Sequence, residues 1–343
     1  MAGTIQGIID VHAHSMLRSW YGQLEQQFAP NVPQFEGCAI PEWNPETAIE
    51  VMDQHGIEAM VLSNPVGTKD MTREVAVPLA RRMNEELAGI LARYPKRFGA
   101  FATLPLQDMD ATLVELEYAL DTLGFDGVCL QTSFEGAYPG HPRFEAMFAE
   151  LDRRRSTAFV HPASPGYAKQ IDIPVITGVL EYPFDTTRAA MSLVLSGMRR
   201  RHPHFNYIST HGGGSLPYLA HRIAFVTARR GTGFETQLSY DEVMAGLKSL
   251  HYDLAIATTR AQLLALRELV PPSQILLGFD YPMVAQMAIE PAIKQLLTSE
   301  VFTREELNAI ANENAFRILP RLAKRLEKHA TPPAKDASRR ARA

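Results

Sequence analysis

Five side chains that can bind a metal ion or transfer a proton stand where apolar segments of the sequence end. Two of them lie in "IIDVHAHS", and one each lies in "FVHP", "STHGGG" and "LGFDYP". In chain order they are His12, His14, His161, His211 and Asp280. Imidazole and carboxylate ligands together suit a borderline divalent ion such as zinc, manganese or iron. The sequence therefore predicts a metal site if the fold brings these residues together.

His12 and His14 are the only two of these candidate ligands that lie within one short segment. Side chains alternate between the two faces of a strand, so His12 and His14 point the same way, and the pattern places Asp10 on that face too. Two imidazoles on one face can bind one ion. A pair of surface histidines is the competing interpretation, and the other ligands must come from elsewhere in the chain.

The elements that could position these residues are eight short apolar segments that alternate with amphipathic ones. They are "GIIDVHAH", "EAMVLSNP", "RFGAFATLPL", "GVCLQTS", "TAFVHPAS", "NYISTHGGG", "HYDLAIA" and "QILLGFDYP". Continuous apolar strands in regular alternation with helices predict a parallel sheet. Eight such units favour a closed (β/α)₈ TIM barrel, an α/β fold. The alternative, a doubly wound open sheet, usually has a glycine-rich turn after its first strand, where this chain has "HAHSMLRSW".

Two connections are unusually long for a compact domain. The first covers about residues 15–42, after the first strand. The second covers about residues 164–185, after the fifth strand, and the next helix is expected to begin at residue 186. Both follow strands, so we expect them to cover the C-terminal rim, where barrel enzymes keep their active sites. The barrel is assigned to residues 1–327. Residues 328–343, "KHATPPAKDASRRARA", are predicted to be a disordered basic tail.

Composition narrows the class of protein. The chain has 343 residues, of which 46% are hydrophobic and 21% charged, with a formal net charge of -4. This is typical of a soluble globular protein and gives no reason to expect a nucleic-acid partner. We also expect no membrane span, because no apolar segment approaches the roughly 20 residues needed. Two cysteines, Cys38 and Cys129, and no signal peptide favour a cytoplasmic protein with reduced thiols.

The segments "DVHAH", "FVHP", "THGGGSLPYLAHR" and "LGFDYP" together resemble the decarboxylase branch of the amidohydrolase superfamily. That branch includes aminocarboxymuconate-semialdehyde, gamma-resorcylate and 6-methylsalicylate decarboxylases. The resemblance extends from about residue 8 to about residue 318. "LEYPFDTTRA" and "HYDLA" look most similar to the 6-methylsalicylate enzymes.

The resemblance implies roles for individual residues. The implied metal ligands are His12, His14, His161 and Asp280, with His211 as the acid/base histidine beside them. Arg222 matches the arginine that follows the "HGGG" motif, although it could equally form a structural salt bridge. Binuclear members of the superfamily carry a bridging lysine at the end of strand four, where this chain has Gln131 and Thr132. We therefore expect one divalent ion, with zinc favoured over manganese.

The implied reaction is the nonoxidative decarboxylation of a 2-hydroxybenzoate-type acid. The ring carbon that bears the carboxylate takes a proton, and CO₂ then leaves. Asp280 is the first candidate donor and His211 the second. The ring needs a flat apolar slot, although each of its candidate residues could equally pack within a loop. Those candidates are Trp20, Tyr21, Phe279, Tyr281 and Met283.

Two other functions remain open from the residues alone. The same ligands with an activated water would make a lactonase or amidohydrolase, with Asp280 as the base. A barrel that binds metal without catalysis is the third possibility. The resemblance also implies a homodimer, in which Arg229 or Arg230 of the partner subunit could reach the site.

Overall fold

The computed structural model describes residues 5, 7–28, 40–170, 172–229 and 238–327. The predicted tail, residues 328–343, therefore lies outside the described residues. So do Arg230, Cys38 and most of the second half of the first long connection.

Eight parallel strands form the centre of the protein, and their order in the sheet follows the chain. They are β1 (Ile8–His14), β2 (Ile57–Ser63), β3 (Phe98–Thr103), β4 (Gly127–Gln131), β5 (Thr157–His161), β6 (Asn206–Ser209), β7 (His251–Asp253) and β8 (Ile275–Leu276). The predicted (β/α)₈ barrel is confirmed.

Backbone hydrogen bonds between β1 and the segment that follows β8 close the barrel. The Val11 N–H donates to the Leu277 carbonyl at 3.0 Å, and the His14 N–H donates to the Tyr281 carbonyl at 2.7 Å. In the other direction, the Asp280 N–H donates to the His12 carbonyl at 2.7 Å. We call this contact the closing seam, and it contains three of the five predicted site residues.

Helices surround the strands. They are α1 (Arg18–Phe28), α2 (Pro45–His55), α3 (Arg73–Arg93), α4 (Met109–Glu117), α5 (Glu145–Arg153), α6 (Thr177–Leu195), α7 (Met198–Arg201), α8 (Leu216–Thr227), α9 (Tyr240–Lys248), α10 (Arg260–Leu269), α11 (Ile289–Thr298), α12 (Arg304–Asn308), α13 (Asn314–Ile318) and α14 (Pro320–Arg325). None of these helices is both long and apolar enough to span a membrane.

Both long connections contain helix that the sequence did not predict. Helix α1 lies inside the first connection, and α6 begins at Thr177, nine residues before the expected start at 186. Pro183 made the start of α6 resemble a loop, because proline cannot donate a hydrogen bond within a helix. The helix forms nevertheless, since Tyr182 and Asp185 in this region are buried against the barrel. The second connection is correspondingly shorter than predicted.

A hydrophobic cluster fills the barrel interior beneath the strand ends. It includes Ile9, Val11, Phe101, Phe159, Ile208 and Leu276. The rings of Phe101 and Phe159 are stacked, with centroids 5.2 Å apart. The Phe159 ring lies 4.9 Å from the His12 ring, so the predicted site rests directly on this apolar layer. A second and larger cluster fills the space between the strands and the helices.

Gly214 is a point where the backbone tolerates no side chain. Its φ is +62°, and a Cβ atom there would lie 2.0 Å from the Pro183 carbonyl oxygen of α6. We predict that Gly214→Ala lowers the free energy of unfolding by roughly 3 kcal/mol, because strain and overpacking both oppose it. Denaturant unfolding measures the change.

Gly89→Ala in α3 is the matched control, because a Cβ there meets no atom within 4 Å. It should stabilise the helix by up to about 1 kcal/mol. Equal stabilities for the two variants would contradict the assigned packing at Gly214.

Candidate metal centre

The strand ends bring the four predicted histidines and Asp280 together at one mouth of the barrel. The His12 ring lies 5.0 Å from the His14 ring, 5.2 Å from the His161 ring and 4.9 Å from the His211 ring, measured between centroids. His12, His14, His161 and Asp280 are buried, and the His211 side chain is 11% exposed. Distant parts of the chain therefore form one cluster.

Two overlapping sets of donors are available for a metal ion. One donor atom each from His12, His161, His211 and Asp280 lie within 4.8 Å of one another. The predicted ligand set contains His14 in place of His211. His14 lies directly beside the group, because its Nε2 is 2.9 Å from Asp280 Oδ1 and its ring is 4.9 Å from that of His161.

Hydrogen bonds on the outer side orient three of the imidazoles. Nδ1 lies 3.0 Å from Asp253 Oδ2 in His12, 2.9 Å from Ser63 Oγ in His14, and 2.8 Å from its neighbouring carbonyl, that of Pro162, in His161. Each contact suits an Nδ1–H donor, which leaves the Nε2 lone pair facing the cluster.

On the inner side of the cluster, the Nε2 atoms of His12 and His161 lack hydrogen-bond donors among the described residues. Nε2 of His161 is buried and has no hydrogen-bond partner among the residues that the structure describes, and Nε2 of His12 lies 3.5 Å from Asp280 Oδ1. Leaving buried polar atoms without partners is costly. Lone pairs that converge beside a carboxylate fit a divalent cation.

The charges of the cluster favour a cation as well. Burial alone would lower the pKa of His12, but the carboxylates of Asp253 and Asp280 raise it to about 10. Burial would raise the pKa of Asp280, but the surrounding imidazoles hold it well below its usual range. Burial lowers the pKa of His14 and of His161. The two carboxylates thus draw a positive charge to the position of His12, while His14 and His161 stay neutral and keep lone pairs for an ion, a combination that suits a metal centre.

Asp253 is a functional residue that the sequence analysis missed. It ends β7 and is fully buried, and its Oδ1 accepts hydrogen bonds from the backbone N–H groups of His211 at 3.1 Å and Ala255 at 3.0 Å. Its Oδ2 holds the His12 ring. Because it ends a strand in "HYD", the rule that located the other residues could have located it.

A β-bulge in β1 sets the direction of the first two histidines. Asp10 pairs with Met60 and Ala13 pairs with Leu62, so three residue steps on β1 lie opposite two on β2. Because of the additional residue, two consecutive side chains of β1 face the interior: Val11 joins the interior cluster and His12 points into the site.

The predicted position of Asp10 on the face of His14 is wrong because of this bulge. Asp10 occupies the register of the outward-facing Met60. Its Oδ1 accepts hydrogen bonds from the backbone N–H groups of His12 at 2.9 Å and Phe279 at 3.2 Å. Burial raises the pKa of Asp10 to about 8. The residue therefore ties β1 to the segment after β8.

Unusual backbone conformations place the proposed acid and its neighbour. His211 has φ +55° and Asp280 has φ +62°, in the left-handed region that residues other than glycine rarely adopt. Such conformations cluster at functional sites, where the surrounding structure maintains them. Here they bring His211 Nε2 within 3.4 Å of Asp280 Oδ2, so a proton can move between the two side chains.

The predicted substrate-binding residues fall into different environments. Trp20 and Met283 line a small apolar pocket together with Met16, Ile40, Pro65 and Val66. Tyr281 is buried and Tyr21 is 36% exposed. Phe279 is buried and belongs to the same larger hydrophobic cluster as Trp20 and Tyr281, so its slot role stays a prediction. Arg222 is exposed on α8.

Comparisons with known proteins agree with this geometry. A family model described as amidohydrolase matches residues 9–321. Over 340 residues the chain is 35% identical to a 6-methylsalicylic acid decarboxylase of Aspergillus aculeatus, covering 94% of this chain and 99% of that protein.

Solved structures share the fold. The crystal structure of an amidohydrolase II aligns with a TM-score of 0.82 at 26% identity, covering 91% of this chain and 99% of that one. A dihydroxybenzoic acid decarboxylase from Polaromonas, with bound manganese and the inhibitor 2-nitroresorcinol, aligns with a TM-score of 0.72 at 20% identity, covering 92% and 97%.

Asp253 provides a test of the outer hydrogen bonds. We predict that Asp253→Asn lowers metal affinity roughly 10- to 100-fold, because the neutral amide holds the His12 ring less firmly and removes a buried negative charge. Titration against a chelator measures the affinity. Asp53→Asn, at an exposed carboxylate paired with Arg97, is the control and should bind metal like the wild type. Wild-type affinity in Asp253→Asn would contradict the orienting role.

Proposed function

Since the chain belongs to the amidohydrolase family, we propose that it is a metal-dependent nonoxidative decarboxylase of a small 2-hydroxybenzoate-type aromatic acid. The observation that carries the proposal is the buried cluster of imidazoles and Asp280 in a chain that matches a 6-methylsalicylic acid decarboxylase over nearly its whole length. The hydrolase alternative has no comparable support.

One divalent ion would be held by His12, His14, His161 and Asp280. Their donor set suits zinc and also manganese, the metal present in the Polaromonas enzyme. When bound, the ion supplies a Lewis acid that can orient an anionic oxygen pair such as a phenolate and a carboxylate. Elemental analysis of the purified protein identifies the metal.

The protein side chains handle the proton. In decarboxylation a proton adds to the ring carbon that carries the carboxylate, the carbon–carbon bond breaks, and its electron pair returns to the ring as CO₂ leaves. Asp280 and His211 would hold and deliver this proton, because their side chains lie 3.4 Å apart and both are slightly open to solvent. The Phe101 and Phe159 layer beneath His12 keeps water away from below.

The ring would be held between the segments that follow β1 and β8. Trp20 and Met283 line an apolar pocket there, with Tyr281 and Tyr21 on the same two segments. Burying an aromatic ring against such side chains favours binding through the hydrophobic effect.

We further propose that the protein is a homodimer that associates through α6 and α8. Exposed apolar side chains on these helices include Val179 at 61%, Tyr218 at 86% and Phe225 at 55%. Such apolar surface often marks a protein contact. Arg222 lies on α8, within this proposed contact. Light scattering that finds a monomer would exclude this arrangement.

The activity itself is tested with several 2-hydroxybenzoates and an aryl lactone, incubated with metal-replete protein and followed by NMR. Decarboxylation replaces the ring carboxylate with a new C–H signal. Lactone opening without this signal would reject the proposal in favour of the hydrolase.

The ligand assignment distinguishes His14 from His211. We predict that His14→Ala loses the stoichiometric metal, whereas His211→Ala keeps the metal and loses turnover. The control is His204→Ala, at an exposed position before β6. Loss of metal in His211→Ala, with retention in His14→Ala, would support the other donor set.

Asp280 is tested by Asp280→Asn. Asparagine tolerates the left-handed backbone, so the fold should persist, while kcat falls by roughly 10²- to 10⁴-fold because the amide cannot deliver the proton. Metal content and the unfolding transition are measured on the same sample. Wild-type turnover in the folded variant would remove Asp280 from proton transfer.

A further inference from the structure

A second small cavity lies between the C-terminal ends of β2, β3 and β4. Its lining includes Asn64, Thr103, Leu104, Cys129, Gln131 and Phe134. The enclosed space has room for about one water-sized group. It therefore suits a single small substituent rather than a whole ligand.

The cavity adjoins the candidate metal centre. Asn64 directly follows Ser63, whose Oγ lies 2.9 Å from His14 Nδ1. Gln131 is the register partner of His161 across β4 and β5. The lining residues thus come from the same strand ends that carry the imidazoles, so a ring held at the metal centre can direct a substituent into this space.

Asn64, one of the residues that line the cavity, has an amide of which only the oxygen is paired among the described residues. Its Oδ1 accepts a hydrogen bond from the Gly67 N–H at 2.8 Å, which fixes the orientation of the amide. The residue is only 3% exposed, and its Nδ2 has no partner among the described parts of the chain. In contrast, Gln131 donates to the Val66 carbonyl, and Thr68, which also lines the cavity, donates to Gln107 at 3.2 Å.

We propose that this cavity is a substituent subsite in which Asn64 Nδ2 donates a hydrogen bond to a hydroxyl on the substrate ring. The inference rests on the proposed function and assigns Asn64 as a specificity-determining residue. A methyl group of the same size would leave the buried amide unpaired, and sites built around a hydrogen bond reject analogues that lack it. The chain should therefore discriminate against methyl where the relative in Aspergillus aculeatus is named for a methyl-substituted acid.

The first experiment needs only the wild-type protein. Metal-replete protein is titrated calorimetrically with 2-hydroxybenzoates that carry a hydroxyl, a methyl or an amino group at each free ring position. At one position we expect the hydroxyl compound to bind at least roughly 10-fold more tightly than its methyl isostere. The amino compound should bind no better than the methyl one, because its N–H groups face the Asn64 donor.

The variant Asn64→Asp then tests whether Asn64 is the residue that recognises the ring substituent. The variant keeps the oxygen that accepts from Gly67 and replaces the free donor with an acceptor. We expect the amino compound to gain roughly 10-fold over the methyl compound, a reversal that a purely structural role would not produce. Asn44→Asp is the matched control, because exposed Asn44 likewise accepts from the N–H three residues on, at 2.8 Å, and should leave every ratio unchanged.

The outcomes separate this inference from the proposed function. Equal binding of the three isosteres by the wild type would overturn the subsite, whether or not Asn64→Asp folds. Ratios unchanged in a folded Asn64→Asp would overturn the assignment of Asn64. Failure of decarboxylation appears instead as absent C–H products by NMR, and the binding ratios still decide on the subsite.

Discussion

The closing seam between β1 and the segment after β8 is the interaction on which the site depends. The same backbone that completes the barrel carries His12, His14 and Asp280, and the Asp280 N–H donates to the His12 carbonyl. Asp10 reinforces the seam by accepting N–H groups from both sides. These hydrogen bonds fix the position of the two segments along the barrel axis. The imidazoles of His12 and His14 therefore lie next to the carboxylate of Asp280.

The electrostatics follow from this closure. A buried carboxylate is costly unless charged or polar partners surround it. Asp280 lies 2.9 Å from His14 and 3.4 Å from His211, while Asp253 holds His12 from behind. The aromatic layer below leaves these groups little water with which to exchange partners. A divalent cation at the centre would stabilise this arrangement, since the Nε2 lone pairs could hold it and its charge would balance the carboxylates.

The fold and the centre of the site followed from the sequence because both depend on local patterns. Apolar segments that end in polar residues predict strand ends, and barrel closure alone brings these ends to one rim. The features that the sequence did not predict, the position of Asp10 and the start of α6, depend on tertiary contacts. The bulge that displaced Asp10 reflects pairing with β2, and burial against the barrel, not propensity, starts α6 at Thr177.

The bulge in β1 also limits how this protein can evolve. Side chains in a strand alternate every two residues, so without the bulge only one residue between Asp10 and Ala13 could face the barrel interior. A deletion there would restore simple pairing with β2 and leave Ala13 facing outward, but it would remove either the Val11 side chain from the interior cluster or the His12 imidazole from the site. Lineages of this chain can exchange residues along the strand, but a shorter strand cannot supply both the apolar support and the imidazole above it.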